Sequence, residues 1–241
     1  MEIWRTIKKS IPAVNSAGYP FIGSALVIAI VAGLISSFLF WAFLGLTIWL
    51  VIFFRDPERV PPDGEGLVLS PADGRIEPVT QAVPPAELEM GTVPMTRVSV
   101  FLSIFDCHVN RTPVSGKITR IAYKPGKFVN ADLNKSSEEN ERNSLLVDAG
   151  GQDVGVVQIA GLIARRIVCW TNEGVVLKAG DRIGMIRFGS RLDVYLPAGA
   201  EVVCKPGQRA IAGETVIARL GTAIARAPVE PGVGTTTPPA V

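Results

Sequence analysis

Three residue types at separate places in this chain could together carry out a nucleophilic reaction of the serine type. Ser190 follows Gly189 and precedes the strand-like residues 191–197. Glycine permits a tight turn and leaves its carbonyl unshielded, so the serine hydroxyl could attack that carbonyl and cut the chain. Gly-Ser is also a common turn dipeptide, and a serine needs a base to become nucleophilic at neutral pH. The dipeptide therefore predicts self-cleavage between Gly189 and Ser190 only where a base lies nearby.

The base is sought first in His108, because the sequence contains 1 histidine. His108 ends an apolar, strand-like segment, residues 101–107, where a strand edge can open onto a cleft. Asp73 lies in a Pro-Ala-Asp-Gly turn. A carboxylate that orients a histidine, which in turn activates a serine, is the division of labour in serine hydrolases. We therefore predict catalytic roles for Asp73, His108 and Ser190, although a lone histidine and a turn aspartate each have a purely structural explanation as well.

One long apolar segment, residues 21–54, contains no charged residue and lies between two groups of basic residues. It is longer than the roughly 20 residues that one membrane-crossing helix needs. The segment predicts a hydrophobic helical membrane anchor, either a hairpin that turns at Ser36-Ser37 or a re-entrant segment; a single tilted helix is the alternative. Basic residues on both sides favour a cytoplasmic position for both ends. They are Arg5, Lys8 and Lys9 before the segment and Arg55 and Arg59 after it.

The rest of the sequence divides by composition into a linker, a folded domain and a tail. Prolines exclude a helix in the linker, and many short alternating segments bounded by Gly, Pro or Asp indicate strands in the domain. We predict a mainly β domain of the α+β class, and a tail that is disordered because it is rich in proline and lacks aromatic residues. The predicted boundaries are 1–20 for a lead-in, 21–54 for the anchor, 55–65 for the linker, 66–222 for the catalytic β domain and 223–241 for the tail.

Three segments of the domain share a glycine-containing turn followed by a strand, namely residues 70–76, 112–118 and 205–214. The repetition is similar to the half-motifs of the lipoyl type of sandwich, in which two such halves build a flattened β barrel. We therefore predict a flattened β barrel or sandwich. The sequence has no Met-Lys-Met turn of the kind that carries a swinging arm, so a carrier function is not predicted.

Composition limits the partners and cofactors. The net charge is +2 and no basic run is interleaved with aromatic residues, so nucleic acid is not a predicted partner. The 3 cysteines, Cys107, Cys169 and Cys204, lack the spacing of a metal site, and with 1 histidine no metal centre is predicted. Free thiols in a reducing compartment fit this pattern best.

Five segments of the chain match one known family in their order along the sequence. They are FFRDPERVPP at 53–62, SPADG at 70–74, FLSIFDCHVNRTPVSG at 101–116, NKSSEENERN at 134–143 and IRFGSRLDVYLP at 186–197. Through these segments, and from the apolar segment to about Leu220, the chain resembles the phosphatidylserine decarboxylase family in its shorter bacterial form.

The resemblance implies a carboxy-lyase that makes its own cofactor. Cleavage would give a large chain, 1–189, and a small chain, 190–241, which stay together as a heterodimer, and Ser190 would become a covalent pyruvoyl group. That group would form a Schiff base with phosphatidylserine, release CO2 and leave phosphatidylethanolamine, without a metal or pyridoxal phosphate. The implied partners are the substrate and membrane lipid, and a homodimer is compatible with the family. The implied location is the inner membrane of the cell, with the catalytic domain on its cytoplasmic face.

One position departs from the family pattern. Well-known members carry a second histidine three positions after the residue matched by His108, and that histidine is usually assigned as the base for self-cleavage. Here the position is Arg111, which stays protonated and cannot be an ordinary base. We therefore predict that His108 serves both self-cleavage and decarboxylation. Arg111 is predicted to bind the phosphate or carboxylate of the substrate, which suits the fork of a guanidinium.

Two other classes of protein share parts of this pattern. A membrane-anchored adaptor could use a lipoyl-like sandwich, but such adaptors usually insert a long heptad-bearing hairpin between the half-motifs, and the sequence has no such repeat. A membrane serine protease could use Ser190 with a base acting in trans. A protease would remain one polypeptide, whereas the decarboxylase would run as two bands on a denaturing gel.

Overall fold

The fold is that of a computed structural model, which describes residues 13–126, 140–161, 166–187 and 190–221. Several of the predictions fall on other residues and therefore lie outside the described ones. These are the lead-in up to residue 12, the motif residues 134–139, Gly189 on the amino side of the predicted cleavage, and the tail from residue 223.

Two apolar helices, α1 (Tyr19–Gly33) and α2 (Ser37–Phe53), form the N-terminal part of the described chain. Proline lies in the first turn of α1, where its missing N–H removes no helical hydrogen bond. The rings of Phe21 and Phe54 stack with their centroids 5.5 Å apart. The start of α1 therefore lies beside the end of α2, and the two helices form an antiparallel hairpin. The prediction of an N-terminal hydrophobic helical segment is confirmed.

The helices differ in how well they match a membrane span. Ser16–Gly33 is 18 residues long, has a mean hydropathy of 1.7 and is 22% buried, so by length and composition it could cross a membrane. Ser37–Phe53 is apolar but, with 17 residues, is slightly shorter. Among the described residues one helix near the N-terminus thus suggests membrane association.

The remainder of the described chain is mainly β, as predicted. Two short 3₁₀ helices, Ser16–Gly18 and Ala86–Leu88, accompany the strands. The strands are β1 (Ala13–Val14), β2 (Arg55–Asp56), β3 (Leu67–Leu69), β4 (Gly74–Ile76), β5 (Thr80–Ala82), β6 (Met95–Leu102), β7 (Val109–Arg111), β8 (Gly116–Lys124), β9 (Arg142–Asp148), β10 (Asp153–Ala160), β11 (Ile167–Cys169), β12 (Val176–Leu177), β13 (Arg182–Ile186), β14 (Ser190–Leu196), β15 (Glu201–Val202), β16 (Arg209–Ala210) and β17 (Val216–Arg219).

Most of these strands belong to one antiparallel sheet that curls into a half-barrel. Its order is β12, β8, β9, β10, β14, β6, β4 and β16, with β5 paired to β6. Two three-stranded sheets complete the domain, in the orders β11–β13–β7 and β15–β17–β3. Because successive side chains of a strand point to opposite faces, Leu192 and Val194 of β14 enter the main core. Tyr195 lies on the other face, which Leu88 covers.

The segment that follows α2 is bound to the domain through its charged side chains. β2 pairs with β1, and the carboxylate of Asp56 accepts hydrogen bonds from Arg182 at 2.8 Å and from Asn15 at 3.1 Å. Arg59 forms an ion pair of 2.7 Å with Asp73, which lies in the domain. The hairpin is thereby held against the edge of the sheet that contains β7 and β13.

Candidate active site

Ser190 is the first residue of β14 and lies inside the domain. β14 runs between β10 and β6, and Ser190 is opposite Ala160 on one side and Leu102 on the other. Its side chain is fully buried, and its Oγ has no hydrogen-bond partner among the described residues. A buried hydroxyl normally finds a partner, so an unpaired one needs an explanation, and at Ser190 the position after Gly189 suggests a functional one. Among the described residues, no hydrogen bond of a structural kind explains why a serine occupies this buried position.

His108 is also fully buried, and its ring lies against the end of the helix hairpin. The centroids of the His108 and Phe53 rings are 4.1 Å apart, with 30° between the ring planes. The Nδ1 atom lies 3.0 Å from the carbonyl oxygen of Asp106. Because a carbonyl only accepts, Nδ1 must carry the proton in the neutral ring, and Nε2 is left with its lone pair. Nε2 has no partner among the described residues.

Burial keeps this imidazole neutral. Removal from water disfavours the charged ring and lowers the pKa of His108 from its usual value to about 4. The positive charge of Arg55 acts in the same direction, while the carbonyl and the carboxylate of Asp106 oppose the shift. At neutral pH His108 therefore presents an unprotonated Nε2 that is free to accept a proton.

The topology brings His108 and Ser190 to the same end of the strands. Ser190 is opposite Leu102, the last residue of β6, and the chain returns to His108 after a short turn. The backbone N–H of Ile186, at the end of β13, donates to the carbonyl of His108 at 3.4 Å. Only a few residues of chain then connect Ile186 with Ser190. The predicted base and the predicted nucleophile therefore lie at the same end of the domain, and no hydrogen bond joins Nε2 of His108 to Oγ of Ser190.

Asp73 occupies a different position from the one expected of a residue that orients the imidazole. Its carboxylate accepts from Arg59 at 2.7 and 2.9 Å and from the backbone N–H of Ala212 at 2.8 Å. Among the described residues no hydrogen bond joins it to His108, whose Nδ1 is held by Asp106. Asp73 still acts on the neighbouring segment, because burial and then its negative charge raise the pKa of Cys107. Its catalytic role stays a prediction.

Arg111 is surrounded by protein groups. Its side chain is buried; Nη1 donates to the carbonyl of Gly180 at 2.8 Å and Nη2 to that of Pro57 at 2.9 Å. The carboxylate of Asp56 lies 3.5 Å from Nη2. Burial, followed by repulsion from Arg182, lowers the pKa of Arg111. These contacts attach the segment after α2 to β7, and the predicted role in substrate binding remains a prediction.

The Arg111→Ala variant separates the two roles of this arginine. If the contacts are structural, loss of the guanidinium leaves Asp56 and two carbonyls short of partners, and each buried unpaired group costs about 1–3 kcal/mol. We expect a clear fall in the thermal unfolding temperature, with self-cleavage slowed in proportion. A variant that unfolds like the parent and cleaves normally, but shows a raised KM for phosphatidylserine, would instead establish substrate binding.

The hairpin contacts the chain on both sides of the predicted site. Phe53 packs against His108, and the guanidinium of Arg187 lies 5.1 Å from the centroid of the Phe21 ring, a cation–π contact. An apolar cluster that includes Phe53, Phe54 and Val109 joins the helices to β7. The end of the hairpin therefore forms one wall around the predicted base.

Three further site residues were not identified from the sequence. Asp106 fixes the tautomer of His108 through its backbone carbonyl. Every residue has such a carbonyl, so the sequence gives no signal for this contact. Asn110 and Gln158 lie fully buried in β7 and β10 and are joined by a hydrogen bond of 2.8 Å. A single glutamine within the apolar run VGVVQIAG was a signal for the second of them. The described residues contain no group of three or more His, Cys, Asp or Glu side chains that could hold a metal ion.

The described chain thus combines a mainly β domain, which buries a serine and a neutral histidine, with an apolar helix hairpin of which one helix weakly suggests membrane association. The family model described as phosphatidylserine decarboxylase matches residues 46–218, from the end of the hairpin to the last strand. The chain therefore belongs to the phosphatidylserine decarboxylase family. Membership implies a carboxy-lyase of phospholipid biosynthesis with a phospholipid substrate.

Proposed function

We propose that this protein is a pyruvoyl-dependent phosphatidylserine decarboxylase that generates its pyruvoyl group from Ser190. The observation that carries the proposal is a pair of buried atoms without partners among the described residues, Ser190 Oγ and His108 Nε2. One is a nucleophile that needs a base, and the other is a base whose lone pair is free. Family membership supplies the reaction class.

Self-cleavage begins when His108 Nε2 accepts the hydroxyl proton of Ser190 and Oγ bonds to the carbonyl carbon of Gly189. The π electrons of that carbonyl move onto its oxygen and return as the C–N bond to Ser190 breaks. The released nitrogen takes the proton from His108, so an ester replaces the peptide bond. Gly189 lies outside the described residues, and its carbonyl enters this step through its covalent bond to Ser190.

Formation of the cofactor then follows at residue 190. Removal of the α-proton expels the carboxylate of Gly189 by β-elimination, and the chain separates into residues 1–189 and 190–241. Water displaces the amino nitrogen of residue 190 as ammonia, which leaves an N-terminal pyruvoyl group. When formed, this group supplies an electron sink for the pair of electrons left as CO2 departs from the substrate.

The chain's own residues then serve the decarboxylation. The domain buries the site away from water, and the neutral Nε2 of His108 is available to hold a proton and return it to the α-carbon that has lost CO2. Asp73 supports the site from a distance, because its ion pair with Arg59 fixes the turn before β4 against the segment after α2. Arg111 is retained as a candidate ligand of the phosphate or carboxylate of the substrate.

The hairpin places this chemistry at a lipid surface. In the proposed arrangement α1 and α2 enter the cytoplasmic leaflet of the inner membrane, and both ends of the hairpin face the cytoplasm, as the flanking arginines and lysines favour. The domain, residues 66–222, then lies on the cytoplasmic face. Phe53 at the end of α2 contacts the ring of His108. A headgroup at the membrane surface therefore has a short path to the site.

A denaturing gel of the purified full-length protein, followed by mass spectrometry of the small fragment, tests the proposal. We expect two bands, and a fragment of residues 190–241 that is lighter than its serine form by one ammonia and resists Edman sequencing. A single intact band that nevertheless decarboxylates phosphatidylserine would refute the pyruvoyl mechanism. A single band that hydrolyses peptides instead would favour the serine protease.

A further inference from the structure

A chain of three amide side chains crosses the interior of the domain and ends beside the candidate site. Asn143 of β9 donates from Nδ2 to Gln158 Oε1, and Gln158 of β10 donates from Nε2 to Asn110 Oδ1 of β7; both bonds are 2.8 Å long. All three side chains are buried. The direction of donation is the same along the whole chain, so the orientation of one amide sets that of the next.

This orientation leaves the last donor without a partner. Because Asn110 Oδ1 accepts from Gln158, its Nδ2 group points away from Gln158, and Nδ2 has no hydrogen-bond partner among the described residues. Asn110 is fully buried. A buried amide N–H2 without a partner is costly, and a flip of Asn110 alone would set its Nδ2 against Nε2 of Gln158.

The unpaired donor belongs to the same region as the base and the nucleophile. Asn110 is two residues after His108, which directly precedes β7. Ser190 and Gln158 also share a face, since Ser190 is opposite Ala160 and Gln158 is opposite Leu192. They are diagonal neighbours of the kind that lie roughly 7–8 Å apart. Gln158 therefore lies on the strand next to that of Ser190 and is bonded to β7, the strand that begins directly after His108.

The backbone is adapted to the passage of this glutamine. Gly184 of β13 is paired with Asn110, and a Cβ atom at Gly184 would lie 3.1 Å from Gln158 Nε2 and would clash with the carbonyl oxygen of Val168. A side chain at this position would thus collide with the backbone and crowd the amide. Glycine at 184 leaves space for Gln158 to reach Asn110.

We propose that Asn110 Nδ2 forms an oxyanion-binding site. It donates a hydrogen bond to the negatively charged oxygen that appears when Ser190 Oγ adds to the peptide carbonyl bonded to the Ser190 nitrogen. The inference rests on the proposed self-cleavage and adds to it a catalytic residue, Asn110, and two positioning residues, Gln158 and Asn143. Asn110 Nδ2 has no partner among the described residues, as expected of a donor whose ligand forms only during the reaction and which stabilises a transition state.

The Asn110→Asp variant tests the donor. Aspartate keeps an oxygen that can accept from Gln158, but it replaces Nδ2–H2 by an acceptor and so removes the proposed bond. We expect the first-order rate of self-cleavage, followed as the appearance of two chains from freshly synthesised precursor, to fall about 10²–10³-fold, the usual effect of losing one such donor. The thermal unfolding of the precursor is measured in parallel. The matched control is Gln152→Glu, the same amide-to-acid change outside the amide chain.

The Asn143→Asp variant tests the positioning without touching Asn110. An acceptor at 143 requires Gln158 to turn its Nε2 toward residue 143 and its Oε1 toward Asn110. Asn110 Nδ2 then donates to Gln158 and is lost to the reaction, so cleavage should slow by a similar factor. If the three amides had only a structural role, replacing a donor by an acceptor at residue 143 would not slow cleavage in a folded variant.

The outcomes separate this inference from the proposed function. If wild-type precursor never cleaves, the proposed function is wrong and the inference falls with it. If wild type cleaves and either aspartate variant folds and cleaves at the control rate, the oxyanion site is refuted while self-cleavage stands. Where Asn110→Asp does not fold, Asn143→Asp alone decides. Slow cleavage in folded variants, with a normal rate for Gln152→Glu, supports the site.

Discussion

The Ser190→Ala variant is expected to remain a single polypeptide and to release no CO2 from phosphatidylserine. Alanine lacks the hydroxyl that attacks the preceding carbonyl, and it cannot give rise to a pyruvoyl group. The fold should persist, because Ser190 Oγ makes no hydrogen bond to a described residue. We therefore predict complete loss of both activities with a thermal unfolding temperature equal to that of the uncleaved parent.

Ser99→Ala provides a matched control for this result. Ser99 is also buried, its Oγ also lacks a partner among the described residues, and it lies in β6, the strand that pairs with β14. It is paired with Asp193, three residue pairs along the strands from Ser190 and on the opposite face of the sheet. Ser99→Ala should cleave and decarboxylate normally. Two chains from Ser190→Ala, observed on the denaturing gel, would place the cleavage elsewhere.

Local sequence patterns were sufficient for the apolar helical segment and for the mainly β domain. An uncharged apolar run can adopt few alternative structures, and short alternating segments bounded by Gly, Pro or Asp indicate strands. The choice of Ser190 and His108 as nucleophile and base stays a prediction. The hairpin, with Ser36 in the connection that precedes α2, also follows from the length of the run. These features depend on residues that are close together in the sequence.

Contacts between distant residues could not be predicted in this way. The observed partner of Asp73 is Arg59, because the segment after α2 folds back over the turn before β4. The guanidinium of Arg111 donates to the carbonyls of Pro57 and Gly180. No sequence pattern signals these partners, and the catalytic role of Asp73 and the substrate-binding role of Arg111 stay predictions. The amide chain that ends at Asn110 depends on a partner 48 residues away. Charge and motif position suggest a role, but only the packing decides which partner a side chain meets.

The pH dependence of self-cleavage should report the unusual environment of His108. Its pKa is lowered to about 4 by burial, so the imidazole remains an active base far below the usual pKa of 6.5. In precursor that stays folded, the cleavage rate should change little between pH 8 and pH 5 and fall to half near pH 4. A rate that falls to half near pH 6.5 would show that the base is exposed or that it is a different group.

The same shift makes the stability of the precursor depend on pH. His108 binds a proton readily in the unfolded chain but not in the folded one. Its contribution to the free energy of unfolding is therefore fully present above pH 6.5 and is lost as the pH falls toward 4. The loss amounts to about 3 kcal/mol between these limits. Chemical unfolding of the Ser190→Ala precursor should show this decline in stability. When His108→Asn is added as a second replacement, the part of the decline that is due to His108 should disappear.

The His108→Asn variant is expected to lose self-cleavage almost entirely. Its amide can still donate to the carbonyl of Asp106, as Nδ1 does, but nothing replaces the lone pair of Nε2. General bases contribute about 10²–10⁴-fold, so the cleavage rate should fall by at least this factor, and His108→Ala should abolish cleavage. Cys107→Ala is the control, because it perturbs the same buried loop and apolar cluster without removing the base. If folded His108→Asn matures at the rate of Cys107→Ala, another group deprotonates Ser190, and the neutral imidazole beside Phe53 serves only the later decarboxylation.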